Sequence, residues 1–263
     1  MVCKNCGTEL NDTQNFCYHC GAKVIRNRLT PKVIAHQVNE EFFSIDNKLL
    51  LTFIDLFKRP EDVINGYIDG TRKKYINVIQ YFAISLTLVG IQVFLMNTFF
   101  SEYLDMEVPF LEGLPEEAKN DTNNPFADID FEIFNDYQSF FYIVSVPISA
   151  LSTWLAYYII GERRFNFTEH LVINLYYSAQ VIIVTAFISI FFLVFGFDYL
   201  LISSFLTLLT FIYFFFVLKR VFNNTFWDTV LRYMLVMAAF FGIFVGSLIL
   251  GVIVGFVIVK LKT

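Results

Sequence analysis

Five stretches of this chain, residues 76–100, 138–160, 171–195, 199–218 and 234–259, run from end to end without a charged side chain. Each reaches the roughly 20 residues that an α-helix needs to cross a hydrocarbon layer of about 30 Å. Inside lipid a backbone must satisfy its own hydrogen bonds, so runs of this length and composition can fold only as spanning helices. With 56% of residues hydrophobic and 16% charged, too little polar surface exists to coat a soluble domain of 263 residues. The expected fold class is an all-α polytopic membrane protein of about five transmembrane helices.

The residues before the first span have another character. Cys3, Cys6, Cys17 and Cys20 form a C-x2-C-x10-C-x2-C pattern, and Gly7 and Gly21 each follow the second cysteine of a pair. Two such pairs let each grip one edge of a tetrahedral ion, and the glycines let backbone amides turn back toward the sulfurs. The pattern predicts a small N-terminal zinc ribbon over residues 1–26 holding a structural Zn2+. So short a module cannot bury enough apolar surface to fold unaided, whereas structural zinc contributes on the order of 10–16 kcal/mol. A thioredoxin-like site needs a surrounding βαβ unit, and a disulfide staple needs an oxidising compartment. His19 is expected to be a solvated neighbour rather than a ligand. One lysine and no arginine between Cys3 and Gly21 argue against nucleic acid as a partner. The start carries no expected cleavable signal, since Met1 leads straight into the cysteines.

Residues 27–75 read as a linker at Arg26–Arg28 and then three short amphipathic cytosolic helices. The first opens at Thr30-Pro31 with Ile34, Val38, Phe42 and Ile45 on one face. The second opens at Asp46 and carries Leu49, Leu50, Phe53, Ile54 and Phe57. The third starts at Pro60, sets Val63, Ile64, Tyr67 and Ile68 on its apolar side, and stops at Gly70. They are expected to form a packed cytosolic layer against the bilayer or the bundle, the alternative being helices lying in the membrane surface.

Orientation follows from charge. Arg72, Lys73, Lys74, Arg163, Arg164, Lys219, Arg220 and Arg232 fall on one side of the five spans, against Lys119, Lys260 and Lys262 on the other. The N-terminus is therefore expected in the cytoplasm. A re-entrant hairpin over 234–259 would bring Lys260 and Lys262 back, but its arms of about 13 residues, roughly 20 Å each, are too short to cross. Residues 101–137 hold eleven acidic residues against one lysine and read as a solvated external loop.

Within the membrane Gln80, Gln92, Asn174 and Gln180 are the candidate buried polar groups, and Pro147 is expected to kink the second span. In the last span Ala238, Gly242 and Gly246 form one small-residue stripe, and Ser247, Gly251 and Gly255 another on the nearly opposite face. Such stripes admit close helix approach, within the bundle or to a second copy. Arg163, Arg164, Glu169 and His170 make the one compact charged cluster, at the membrane interface, with Thr168 as the expected cap. No phosphate loop, partnered nucleophile or zincin motif occurs.

The segments CKNCG…FCYHCG, PEDVINGYIDGTRKKY, FNFTEHLV and LKRVFNNTFWDTVLRY together resemble an uncharacterised bacterial family. Its members join an N-terminal zinc ribbon to a polytopic inner-membrane domain of unknown function. The resemblance covers most of the chain and implies a bacterial inner-membrane location and no activity. Where that family often has proline after the RKKY stretch, this chain has Val78. The functional expectation is a non-enzymatic scaffold or regulator, lipid-embedded, whose cytosolic face contacts a protein partner. The alternative is a permease for a small neutral or lipid-like substrate. A membrane enzyme centred on Glu169 and His170 ranks third.

Overall fold

The computed structural model describes residues 1–24, 26, 30–32, 48–100, 137–197 and 199–262, with no side-chain description at 200, 248 and 250–262. Two compact units divide at Asn47 and Lys48. The helix expected from Thr30 lies outside the described residues beyond position 32, as do Asp46 and the acidic loop up to residue 136.

The first unit is built from two copies of one turn. Cys3 N–H donates to Thr8 O (2.9 Å) and Gly7 N–H to Cys3 O (2.9 Å); Cys17 N–H donates to Ala22 O (2.8 Å) and Gly21 N–H to Cys17 O (2.9 Å). Gly7 and Gly21 sit at φ +76° and +71°, where a Cβ is strained, so glycine at these two positions is a backbone requirement. Antiparallel bridges Val2–Glu9 and Phe16–Lys23 close the two turns. Leu10 is buried beside Cys3 and Cys17, with Ala22 and Val24 packed on it. Arg26 belongs to this unit rather than to a linker. Its guanidinium donates to Asn15 Oδ1 (3.2 Å), Asp12 O (2.7 Å) and Gln14 O (2.6 Å).

The second unit is helical: α1 (residues 48–58), α2 (Pro60–Ile68), α3 (Val78–Phe99), α4 (Gln138–Ile159), α5 (Phe167–Val194), α6 (Tyr199–Phe222) and α7 (Phe226–Lys262). Five of these, α3 to α7, are long and apolar enough to cross a membrane. Helix α5 is the axis, packing against α2, α3, α4 and α6, while α7 lies along α4 and α6. Three spans extend past the apolar runs, beginning at Phe167 and Phe226 and ending at Phe222. The reason is general: apolar windows mark the hydrocarbon, whereas helices continue through their charged end turns. The unbroken α7 excludes a re-entrant hairpin.

Asn77 caps α3 by accepting from Ile79 N–H (2.9 Å), and Val78 takes the first helical position, where proline is also tolerated. Gly70 ends α2 at φ +101° as expected. Helices α1 and α2 fall in the same compact unit as the spans and pack against them, and the part of residues 27–75 between 33 and 47 lies outside the described residues. Helix α1 also inverts the expected packing. Thr52, Asp55 and Leu56 are buried, while Leu50, Leu51, Ile54 and Phe57 are exposed. Polar side inward and apolar side outward is the arrangement that lipid favours.

Candidate metal centre and the polar sites of the bundle

The four sulfurs of Cys3, Cys6, Cys17 and Cys20 lie within 4.8 Å of one another. Cys3 Sγ is 3.7 Å from Cys20 Sγ, and Cys6 Sγ is 3.6 Å from Cys17 Sγ. A tetrahedral zinc with Zn–S of about 2.3 Å needs sulfur–sulfur edges of about 3.8 Å, whereas a disulfide needs about 2.05 Å. The geometry fits a four-thiolate metal shell and excludes either cross-pair as a disulfide. Cys3 and Cys17 are buried and Cys6 and Cys20 exposed. The Asn5 side chain, donating to Cys20 Sγ at 3.5 Å, followed by the Ala22 amide, pulls the Cys20 thiol down to about 6. Thr8, through its hydroxyl and then its amide, lowers Cys6. Anion-stabilising donors at the sulfurs are what a cation-binding thiolate set requires. His19 is exposed and outside the cluster. These thiolates would hold zinc in a closed shell, with no open position for a reacting molecule.

The interface cluster is not one site. Asn166, not Thr168, caps α5, because its side chain reaches Glu169 N–H (3.0 Å) while Glu169 Oε2 accepts from Asn166 N–H (2.7 Å). Glu169 therefore works as a capping partner on the exposed side. His170, one residue on, is 1% exposed and sets Nδ1 3.1 Å from Thr153 Oγ1. Arg163 lies over the Tyr158 ring and Arg164 over Phe165, with Arg164 Nη1 3.5 Å from Val221 O. The signal missed in the sequence was Asn166, whose N-x-x-E spacing is a capping box.

Of the four intramembrane polar candidates, Gln92, Asn174 and Gln180 are buried and Gln80 is exposed. Asn174 donates to Thr153 Oγ1 (3.0 Å) and His170 O (2.8 Å) and accepts from Ser149 Oγ (2.6 Å), which ties α4 to α5 on the turn after Pro147. Gln180 accepts from the Tyr81 hydroxyl and donates to Phe53 O at 3.1 Å, which joins α1, α3 and α5. Ala238, Gly242, Gly246 and Ser247 are exposed, and an added Cβ at Gly242 or Gly246 meets nothing within 4 Å. Gly251 and Gly255 lie in helical backbone without described side chains.

A second polar site went unread. Asp55 is 5% exposed, accepts from the Tyr75 hydroxyl at 2.8 Å and pairs with Arg59 at 3.4 Å; Thr52 Oγ1 accepts from Ile76 N–H at 3.1 Å. Burial first, with Asp55 opposite, raises the Tyr75 phenol, so it stays a donor to the carboxylate. Asp55 raises Arg59, first through their hydrogen bond. Asn65 Nδ2 donates to Val221 O (3.0 Å), and Glu61 takes Arg220 on both oxygens. Together α1, α2 and the start of α3 form a clasp on α5 and α6. A lone acid in the apolar run LLLTFIDLF, four residues before arginine, was its sequence trace.

Fold and metal centre together define the class: a polytopic helical membrane protein carrying an N-terminal four-cysteine zinc ribbon. The comparisons agree with the ribbon. Residues 2–24 match the family model described as zinc-ribbon domain. Residues 46–90 match the one described as Protein of unknown function (DUF3667), which is the family relation the sequence motifs imply. That second match covers the clasp and the first half of α3. No curated protein and no solved structure matches the chain.

Proposed function

We propose that the protein is a non-enzymatic scaffold or regulator of the bacterial inner membrane, with its N-terminus cytoplasmic and its ribbon contacting a soluble protein partner. The observation that carries this reading is the ribbon surface. Around a closed metal shell, Tyr18, Val2 and Phe16 are 71%, 58% and 55% exposed on a module of two short turns. A rigid knob presenting aromatic and aliphatic side chains suits an apolar groove on a protein, since aromatic anchors dominate binding energy at little cost in conformational freedom. Lysine and arginine asymmetry supports the cytoplasmic placement, and a reducing cytoplasm keeps the thiols available for zinc. The exposed stripe Ala238, Gly242 and Gly246 on α7 is the proposed face for a second copy. Only 11% of the apolar window of α7 is buried, against 28–39% for the other spans.

Two full-length variants test the partner reading. Cys17→Ser/Cys20→Ser unfolds the ribbon and leaves the spans, whose backbone bonds are internal. Tyr18→Ser keeps zinc and removes the most exposed ring. Both are expected to insert normally and to lose the same cytosolic protein on purification from native membranes. Retention of that protein by both variants overturns the reading. A phenotype that instead follows Gln92, Asn174 or Gln180 points to the permease alternative.

A further inference from the structure

A cavity of about 340 Å3 lies among α4, α5, α6 and α7, reaching Gln92 of α3. Its volume falls within the roughly 300–1,000 Å3 of small-molecule sites. Serine, threonine, tyrosine and glutamine side chains alternate around its wall with apolar ones, and no charged group lines it. Helix packing in lipid needs no such collection. Polar groups turned toward a space between membrane helices mark a pathway or a polar occupant.

The hydrogen bonds give this wall a polarity of its own. Ser145 Oγ donates to Tyr142 O (3.1 Å), Thr185 Oγ1 to Ile182 O (3.2 Å) and Thr210 Oγ1 to Thr207 O (2.7 Å). Thr207 Oγ1 donates to Ser203 O (2.7 Å). The Tyr177 hydroxyl donates to Thr210 O (3.1 Å). A hydroxyl has one proton and two lone pairs. With each proton directed to a backbone carbonyl, these five oxygens can offer an occupant only lone pairs. Gln138 Oε1 adds a buried acceptor with no protein partner among the described residues. The same wall holds the phenols of Tyr142 and Tyr199 and the Gln138 amide NH2, which can donate, and it has no lysine, arginine or histidine to offset the desolvation of an anionic group. Without a lining carboxylate, it offers a free cation no charge to offset its desolvation. The complementary occupant is neutral and both donates and accepts hydrogen bonds.

We propose that this cavity binds an uncharged hydroxyl-bearing group, supplied either by the glycerol-type head of a neutral lipid or by a free polyol. The site is independent of the ribbon and of any partner it contacts.

The test uses the full chain in phosphatidylcholine nanodiscs with four probes: a monoacylglycerol, the triacylglycerol of the same acyl chain, free glycerol, and potassium chloride. A ligand bound to the folded state raises the unfolding midpoint in a saturable way. The monoacylglycerol or glycerol is expected to do so, which of the two responds identifying the source, while triacylglycerol and salt do not. Thr185→Val/Thr210→Val removes two acceptors without changing side-chain shape and is expected to weaken the responding probe at least tenfold. Ser145→Ala repeats the measurement from α4 should the double variant unfold early. No saturable shift with either hydroxyl probe, an equal shift with triacylglycerol or salt, or unchanged affinity in the variants overturns the assignment.

Discussion

Gln180 holds three elements with one side chain, and its removal has a calculable signature. Both Gln180 and Tyr81 are 0% exposed, and the glutamine accepts from the Tyr81 hydroxyl while donating to Phe53 O. A buried polar group left without a partner costs about 1 kcal/mol here, the low end of the general range, because the membrane reference state finds substitutes. Tyr81→Phe orphans one group, the glutamine oxygen, and should cost about 1 kcal/mol. Gln180→Leu also orphans one, the tyrosine hydroxyl, since the Phe53 carbonyl keeps its helix hydrogen bond within α1, and should cost about 1 kcal/mol. The double variant orphans neither, so it should return close to the parent's stability and be more stable than either single variant. Reversible unfolding of the four proteins in mixed micelles, followed by tryptophan fluorescence, measures the cycle. Additive costs, near 2 kcal/mol for the double variant, would mean that Tyr81 and Gln180 are not bonded and that α3 is not tied to α5 through them.

Other expectations follow from the same geometry. The purified protein should carry about one zinc per chain, by elemental analysis, and a metal-free but folded ribbon would refute the closed shell. Zinc is held by thiolates, for which protons compete; release monitored with a chromophoric chelator should stay low at pH 7 and rise in acid. Asp55→Ala leaves the buried Tyr75 hydroxyl without its carboxylate and should lower stability by about 2 kcal/mol, more than Asp55→Asn, in the same micelle assay, while the half-exposed Arg59 is left to water. A cysteine introduced at Asn120, in a variant without the ribbon cysteines, should react with an impermeant thiol reagent in intact cells; labelling only after lysis reverses the proposed orientation.

What the sequence showed well was whatever follows from short-range chemistry. Paired cysteines with glycine after each pair leave little room for anything but a ribbon, and five uncharged runs leave little room for anything but spans. The errors came where a residue's partner is distant in the chain. Glu169 and His170 are adjacent in sequence, yet one turns back to Asn166 and the other inward to Thr153. Gln80 and Gln92 look equivalent, and only the contacts of α3 decide that the first faces outward. The clasp was least legible, because amphipathic helices are ordinarily read with their apolar side inward, and α1 reverses that rule where its surroundings are lipid. The cavity depends on where hydroxyl protons point, which no spacing in the chain reports.

Helix α7 has 37 residues, so at 1.5 Å per residue it is a rod of about 55 Å. To fit wholly within about 30 Å of hydrocarbon it would have to lean nearly 60°, past the roughly 40° limit of membrane helices. Part of it must therefore stand clear, and Asp228 and Arg232 mark its opening turns as that part. There Arg232 Nη1 grips Glu162 Oε2 at 3.0 Å, on the turn between α4 and α5. A long rod whose apolar window between Phe226 and Ser247 is only 11% buried, pinned near one end by an ion pair, is mechanically a lever. Changes in bilayer thickness that alter its lean bear first on the α4–α5 turn, and so on the axis of the whole bundle.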